Sequence, residues 1–427
     1  MELPVKNHRR GLWTLSPLLV FFLLYVITSV VAGDFYKMPV TVAFVVASAW
    51  AFVVCKPASL NKRIERFSAG AAHRNIMIMI WIFILAGAFA GSATFIGSVG
   101  ATVNLTLAVL PSGMLLPGLF IAACLISLAI GTSVGMIVAL MPVAAGIASG
   151  TGISPALMAG IVVGGAFFGD NLSFISDTTI AATRTQGCRM RDKFHANFMI
   201  VLPAAISVLI VYVILGLQYS SVVCTEPIAW VEVLPYLLVL VTALCGMNVV
   251  LVLLLGIIST GLVCLFSSSL TMLDWASSLG KGMTGMGELI IVTLLAGGML
   301  ELIRYNGGLR YIIKHLTARV HSRRGAELAI ALMVSIANFC TANNTVAIVS
   351  VGDIARRVAE RFGIPAQRAA SLLDTFSCVV QGILPYGAQL LMGASLAGLA
   401  ALDIIPYLFY IFALVLSSLL FIIFRRK

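Results

Sequence analysis

Between Asn75 and Thr183 the chain carries only two charged side chains, Asp170 and Asp177. No soluble core accommodates so long an uncharged run. A soluble domain is about 25% charged, whereas this chain is 10% charged and 60% hydrophobic over its 427 residues. Apolar stretches of about 17–25 residues, the length a helix needs to cross a bilayer, recur from end to end. Backbone in lipid must satisfy its own hydrogen bonds, so the expected class is an all-α polytopic membrane protein of about ten spans in one body. The first apolar run, 12–32, is long for a signal-peptide core and is followed by no convincing cleavage site, so it reads as a retained span.

The net charge of +11 would suggest a nucleic-acid partner in a soluble protein. Here the basic residues gather in short runs between apolar stretches, at 6–10, 56–74, 184–193, 304–324, 356–368 and 425–427. That distribution marks cytoplasmic loops, so the expected partner is the lipid bilayer and not nucleic acid. The eight Cys are scattered, without a Cys-x-x-Cys, and read as small buried hydrophobes. His8, His73, His195, His315 and His321 all lie in basic segments and lack metal-ligand spacing. No zinc-binding His-Glu pattern, nucleophile elbow or Gly-rich phosphate loop occurs, so an enzyme is not expected.

Simple spans read at about 12–32, 38–55, 75–98, 194–217, 231–245, 247–267, 285–303 and 404–424. Four other apolar stretches, 114–148, 154–183, 326–352 and 367–400, have Gly, Pro, Asn or polar clusters at their middle, which break an ordinary helix. If all four crossed once, the basic run 184–193 would lie outside. If 114–148 and 326–352 are re-entrant hairpins, all six basic runs fall inside and only Lys37 and Lys281 remain outside. The expectation is therefore two inverted repeats, each of about five spans plus one re-entrant hairpin, with broken helices at the membrane midplane. Residues 1–217 would form the first repeat, 218–230 an external linker with Glu226, and 231–427 the second, with both termini cytoplasmic. Thr132-Ser133-Val134-Gly135 matches Thr341-Ala342-Asn343-Asn344, and Gly152-Ile153-Ser154-Pro155 matches Gly363-Ile364-Pro365. Gly152 is as far from Asp170 as Gly363 is from Gln381.

Charged groups at membrane depth cost roughly 2.5–3.5 kcal/mol on insertion scales and persist where they face a partner, an ion or a water path. Around Asp170 and Asp177 the neighbours are Asn171, Ser173, Ser176, Thr178 and Thr179, with no Lys or Arg inside the segment. Carboxylates among hydroxyls and amides suit a small hard cation or a proton. Gly169 is expected to let the backbone leave the helix; alternatively each Asp caps a half-helix. The second candidate is the hairpin tip Thr341, Asn343, Asn344 and Thr345, paired with Thr132 and Ser133 on the first tip. Its alternative is a tip that satisfies only its own backbone. The third is Asp374, the one charge between Ala369 and Leu402, with Gln381 and Gln389 around a break at Gly382, Pro385 and Gly387. Asp374 binds a proton or ion, or else pairs with Arg368 or lies shallow enough to be hydrated.

Gly131-Thr132-Ser133, Pro142, Phe168-Gly169-Asp170 and Ser176-Asp177-Thr178-Thr179, together with Thr341-Ala342-Asn343-Asn344-Thr345, resemble the NhaC-type sodium/proton antiporter family over about 75–400. Departures fall at Phe174, where many relatives have Pro, and at Val134, where they have Trp. The resemblance implies an inner-membrane antiporter of bacterial type with paired hairpins and broken helices. In that setting Na⁺ and H⁺ would compete for Asp170 and Asp177, with Asp374 as a further coupling residue and Na⁺ as a transported ligand in place of any organic cofactor. Some relatives carry amino acids or organic acids, so a Na⁺- or H⁺-coupled carrier is the alternative. A homodimer is compatible with the sequence.

Overall fold

Lipid leaves a chain of this composition few ways to satisfy its backbone, and helices are the one used. The computed structural model describes residues 13–32, 38–55, 59–109, 111–174, 176–219, 229–267, 270–308 and 320–424, and among them there is no strand. Lys37, Lys56, Glu226, the basic runs 6–10 and 425–427, the middle of the run 304–324 and most of the 218–230 linker lie outside the described residues.

The first half opens with α1 (Ser16–Ala32), α2 (Val40–Val54), the amphipathic α3 (Leu60–Ala71), α4 (Arg74–Phe95) and α5 (Ser98–Val109). A helical hairpin follows, α6 (Leu115–Ile130) and α7 (Ser133–Thr151). Next comes a helix in two pieces, α8 (Pro155–Leu172) and α9 (Asp177–Gln186), and then α10 (Met190–Gly216). The second half contains α11 (Trp230–Leu244), α12 (Val249–Phe266), α13 (Met272–Gly285) and α14 (Gly287–Tyr305). It continues with the hairpin α15 (Arg323–Thr341) and α16 (Asn344–Arg361), the two-piece helix α17 (Ala366–Ile383) and α18 (Ala388–Ala397), the short α19 (Ala401–Ile404) and α20 (Phe409–Phe424).

Among the described residues eight helical runs are long and apolar enough to cross a membrane, or nine with the bent pair Ala401–Tyr407 and Phe409–Phe424. Every simple span expected from the sequence falls on a helix. α10 starts at Met190, not at about 194, which draws residues of the basic run 184–193 into the helix. The helices α3, α5 and α13 were not foreseen; α3 and α13 carry too many polar residues for a hydropathy reading to find them.

Helix ends recur at a constant separation. Left-handed residues close helices at Gly131 and Ala342, at Gly187 and Gly398, and turns at positive φ occur at Gly152 and Gly363. Each pair is 211 residues apart (342 − 131, 398 − 187, 363 − 152). The two-piece helices match in every length: 18 residues, a gap, then 10 residues. The structure therefore aligns Thr132 with Asn343, two positions away from the expected match of Thr132 with Thr341. Packing is reciprocal as well. α3 lies along α14 while α13 lies along α4, and α9 packs on α16 while α18 packs on α7. The largest apolar cluster joins α4, α6–α8, α10–α12 and α17–α20; a second surrounds α9 and α15–α17. The two hairpin tips and the two helix breaks meet between them.

Candidate functional site

Both hairpins turn by one device. α6 ends on Gly131 at φ 70° and α15 on Ala342 at φ 47°. The next residue is extended and its side chain caps the following helix. Thr132 Oγ1 accepts from Gly135 N at 3.0 Å, and Asn343 Oδ1 accepts from Val346 N at 2.9 Å. Asn344 Oδ1 likewise accepts from Thr345 N at 3.1 Å, and Thr341 Oγ1 donates to the Asn343 carbonyl at 3.1 Å. These carbonyl oxygens thus serve the tip's own backbone.

At the first break the helix does not part at Gly169, as expected, but runs to Leu172, with Ser173 N donating to Gly169 O at 2.7 Å. Gly169 instead permits close approach, since a Cβ there would run into Ser127 of α6. One helix ends at Leu172 and the next begins after Ser176, so Asp170 lies in the last turn of α8 and Asp177 begins α9. The two acids do not share one helix face, and neither is an N-cap; Ser176 holds that position. Asp177 sits where the helix dipole favours a negative charge. Asp170 is buried, at 3% exposure, whereas Asp177 is exposed.

A cavity of about 410 Å³ lies between the tips and the breaks. It is lined by Thr132 and Ser133 of the first tip, by Asp170, Ser176, Asp177 and Thr178 of the first break, by Asn343, Asn344 and Thr345 of the second tip, and by Gln381 and Gln389 of the second break. The tertiary fold thus gathers residues more than 200 positions apart. Ser176 Oγ donates to Asp170 Oδ1 at 3.4 Å and lies 3.0 Å from Thr178 Oγ1. Gln389 Nε2 donates to Ser133 Oγ at 2.9 Å, and Gln381 Nε2 donates to Gln389 Oε1 at 2.9 Å and to Ala342 O at 3.2 Å. One chain of hydrogen bonds therefore links the two tips. No group of three or more His, Cys, Asp or Glu suited to a metal occurs among the described residues. The carboxylate, hydroxyl and amide oxygens of the wall suit an alkali cation or a proton.

Asn171, Ser173, Thr179, Thr341 and Asp374 do not line the cavity. Three of them belong to a buried network behind it that the sequence reading missed. Lys193 Nζ lies 2.6 Å from Asp374 Oδ2, and the two side chains are 1% and 0% exposed. It also donates to Asn171 O at 2.8 Å and to Thr179 Oγ1 at 2.7 Å. Asn197 Nδ2 donates to the same Asn171 carbonyl at 2.8 Å and to Asp374 Oδ2 at 2.9 Å. Of the alternatives open for Asp374, the pairing with Arg368 is not the one found; its basic partner is Lys193, which lies outside the first break's own segment. Arg368 Nη2 instead pairs with Glu327 Oε2 at 2.8 Å. Lys193 was hidden by membership of a basic run. The available signal was its spacing from Asn197, since positions i and i+4 share a helix face. The network has a clear backbone role: Asn171 lies in the last turn of α8, where carbonyls lack partners within the helix, and Lys193 and Asn197 both donate to its carbonyl.

The sequence profile of the Na⁺/H⁺ antiporter family matches residues 9–217 and 221–425. The chain is 25% identical over 386 residues to the Na⁺/H⁺ antiporter NhaC of Bacillus subtilis, covering 81% of this chain and 83% of that one. It is 23% identical over 325 residues to the Na⁺/H⁺ antiporter NhaC of Alkalihalophilus pseudofirmus, covering 68% and 69%. Over 372 residues it is 24% identical to the arginine/ornithine antiporter ArcD of Halobacterium salinarum, covering 78% and 75%.

Proposed function

The chain belongs to the Na⁺/H⁺ antiporter family, and from that premise we propose that it exchanges Na⁺ for H⁺ at the cavity between the hairpin tips and the helix breaks. It is a membrane transporter and not an enzyme. The observation that carries the reading is the wall around Asp170, a buried carboxyl with Ser176 and Thr178 hydroxyls beside it and Asp177 at the exposed side of the same cavity. Na⁺ and H⁺ each neutralise a carboxylate, and they exclude one another there. A carrier that reorients only with the site loaded then exchanges one for the other without a separate gate. Asp177 receives the cation from water, Asp170 holds it at depth, and Ser133, Gln381 and Gln389 tie the site to both tips. Asp374 contributes through Lys193, its ion-pair partner.

The constant 211-residue spacing and the reciprocal packing support two repeats, at about 1–217 and 231–427, in inverted orientation. In that reading the hairpins α6–α7 and α15–α16 are re-entrant from opposite sides. With the buried Lys193 and Arg368 set aside, every other Lys and Arg except Lys37 and Lys281 still falls in runs assigned to the cytoplasm, which supports cytoplasmic termini.

One observation favours a second reading. A cavity of about 410 Å³ exceeds the needs of one cation, and the first residues of α7, α9, α16 and α18 all line it. Four helix N-termini suit the carboxylate of an amino acid or organic acid. Proteoliposomes loaded with a pH-sensitive dye separate the two. Na⁺ addition alone is expected to move protons. Flux only in the presence of an organic solute would replace Na⁺/H⁺ exchange with coupled carriage, and no Na⁺-dependent flux under either condition would reject both.

A further inference from the structure

We propose that the nest behind the first helix break is a second monovalent-cation site, built from oxygen ligands and filled by the chain's own Lys193 ammonium. Three elements supply the ligands: the Asn171 carbonyl at the end of α8, the Thr179 hydroxyl on α9 and the Asp374 carboxylate on α17. An ammonium has three N–H groups, and three acceptors at 2.6–2.8 Å take them. A main-chain carbonyl at a helix end, a hydroxyl and a carboxylate are also the donor set that a hard cation takes.

The nest holds more acceptors than its two donors reach. Asp374 Oδ1 and Asn197 Oδ1 are buried and have no hydrogen-bond partner among the described residues. This surplus of buried oxygen sets a site built for a cation apart from an ordinary ion pair. A pair kept for stability alone gains little from burial, and apolar residues of like volume serve as well or better. Lys193 enters from α10, an element that provides no main-chain ligand, so truncating it removes the ammonium and leaves the three oxygens on α8, α9 and α17 in place. The tether makes the site permanently loaded. The cation in the cavity exchanges; the one on Lys193 does not.

The test compares thermal unfolding of the purified full-length wild type, Lys193→Ala and Lys193→Ala/Asp374→Asn in choline, Na⁺ and K⁺ chlorides of equal ionic strength. Lys193→Ala is expected to melt lowest in choline and to recover saturably in Na⁺ or K⁺, exceeding the wild-type response by about 3–5 °C. The double variant is expected to lose that excess, because the carboxylate ligand is gone. Arg368→Ala, which opens the other buried ion pair, is expected to show no cation-specific recovery. A Lys193→Ala protein that survives purification only in Na⁺ or K⁺ supports the proposal. A cation response no larger than that of the wild type, an excess that persists in the double variant, or a protein that no salt recovers overturns it. The readout is stability, so it stands or falls separately from exchange at the cavity.

Discussion

At the first break the helix stops at Leu172 and restarts at Asp177; at the second it stops at Ile383 and restarts at Ala388. The backbone is the same, and the chemistry is not. Two residues before each stop stand Asp170 in the first and Gln381 in the second; one residue after each restart stand Thr178 and Gln389. The first break carries two carboxylates and is backed by the Lys193 ammonium. The second is lined by neutral amides, which bond to each other and to both tips. A carboxylate binds a cation or a proton and changes charge in doing so. An amide does neither, but it donates and accepts at once, which suits it to joining two moving parts. On the proposed reading, the first break carries charge exchange and the second aligns the tips.

The sharpest way to break that assignment is to remove the buried charge. Asp170→Asn keeps shape and is expected to reduce Na⁺-driven proton flux at least about 100-fold, since a cation at ~4 Å from a carboxylate gains about 4 kcal/mol at an effective dielectric constant of about 20. Membrane insertion should be unchanged, as judged by yield and a monodisperse elution profile. Asp177→Asn acts at an exposed position, where water screens the charge, so a loss of about 10-fold is expected. Equal losses in the two variants would show that depth does not rank the acids.

At the second break Gln381→Ala and Gln389→Ala each remove two neutral hydrogen bonds and strand their partners, an effect of at least about 1–1.5 kcal/mol. The expected outcome is a rise of roughly 5–10-fold in the KM for Na⁺, with the maximal rate largely kept. A collapse of the maximal rate would instead place the second break among the groups that carry charge. The smallest expected effect separates the tips. Gly131→Ala forces a side chain into left-handed backbone and should lower the melting temperature by a few degrees, from a cost of about 1–2 kcal/mol. Ala342→Gly relieves the same strain and should raise it by less, because glycine loses more freedom on folding.

The class of the molecule was legible in the sequence because lipid allows so few backbones. Runs of the right length without charge had to be helices, and Asp170 and Asp177 stood out because nothing near them in the chain was charged. Most of the polar part of the cavity wall was legible for the same reason: polar residues such as Ser133, Asn344 and Gln389 persist in apolar sequence only where something satisfies them. The 211-residue recurrence was visible at Gly152 and Gly363, where positive φ demands glycine, but the tips were matched two positions off, because Ala342 takes the left-handed position without being glycine.

Tertiary structure alone decided what meets what. Lys193 belongs by sequence to a basic run and by position to a buried nest, because α10 begins early enough to carry it against Asn171, Thr179 and Asp374. Arg368 stands close in sequence to Asp374 yet pairs with Glu327 on α15, since six residues along α17 turn the two side chains to different faces. Local sequence sets how costly a buried charge is. Which opposite charge offsets that cost depends on contacts between residues up to 181 positions apart, as Lys193 and Asp374 are (374 − 193), and only the folded packing brings such residues within reach.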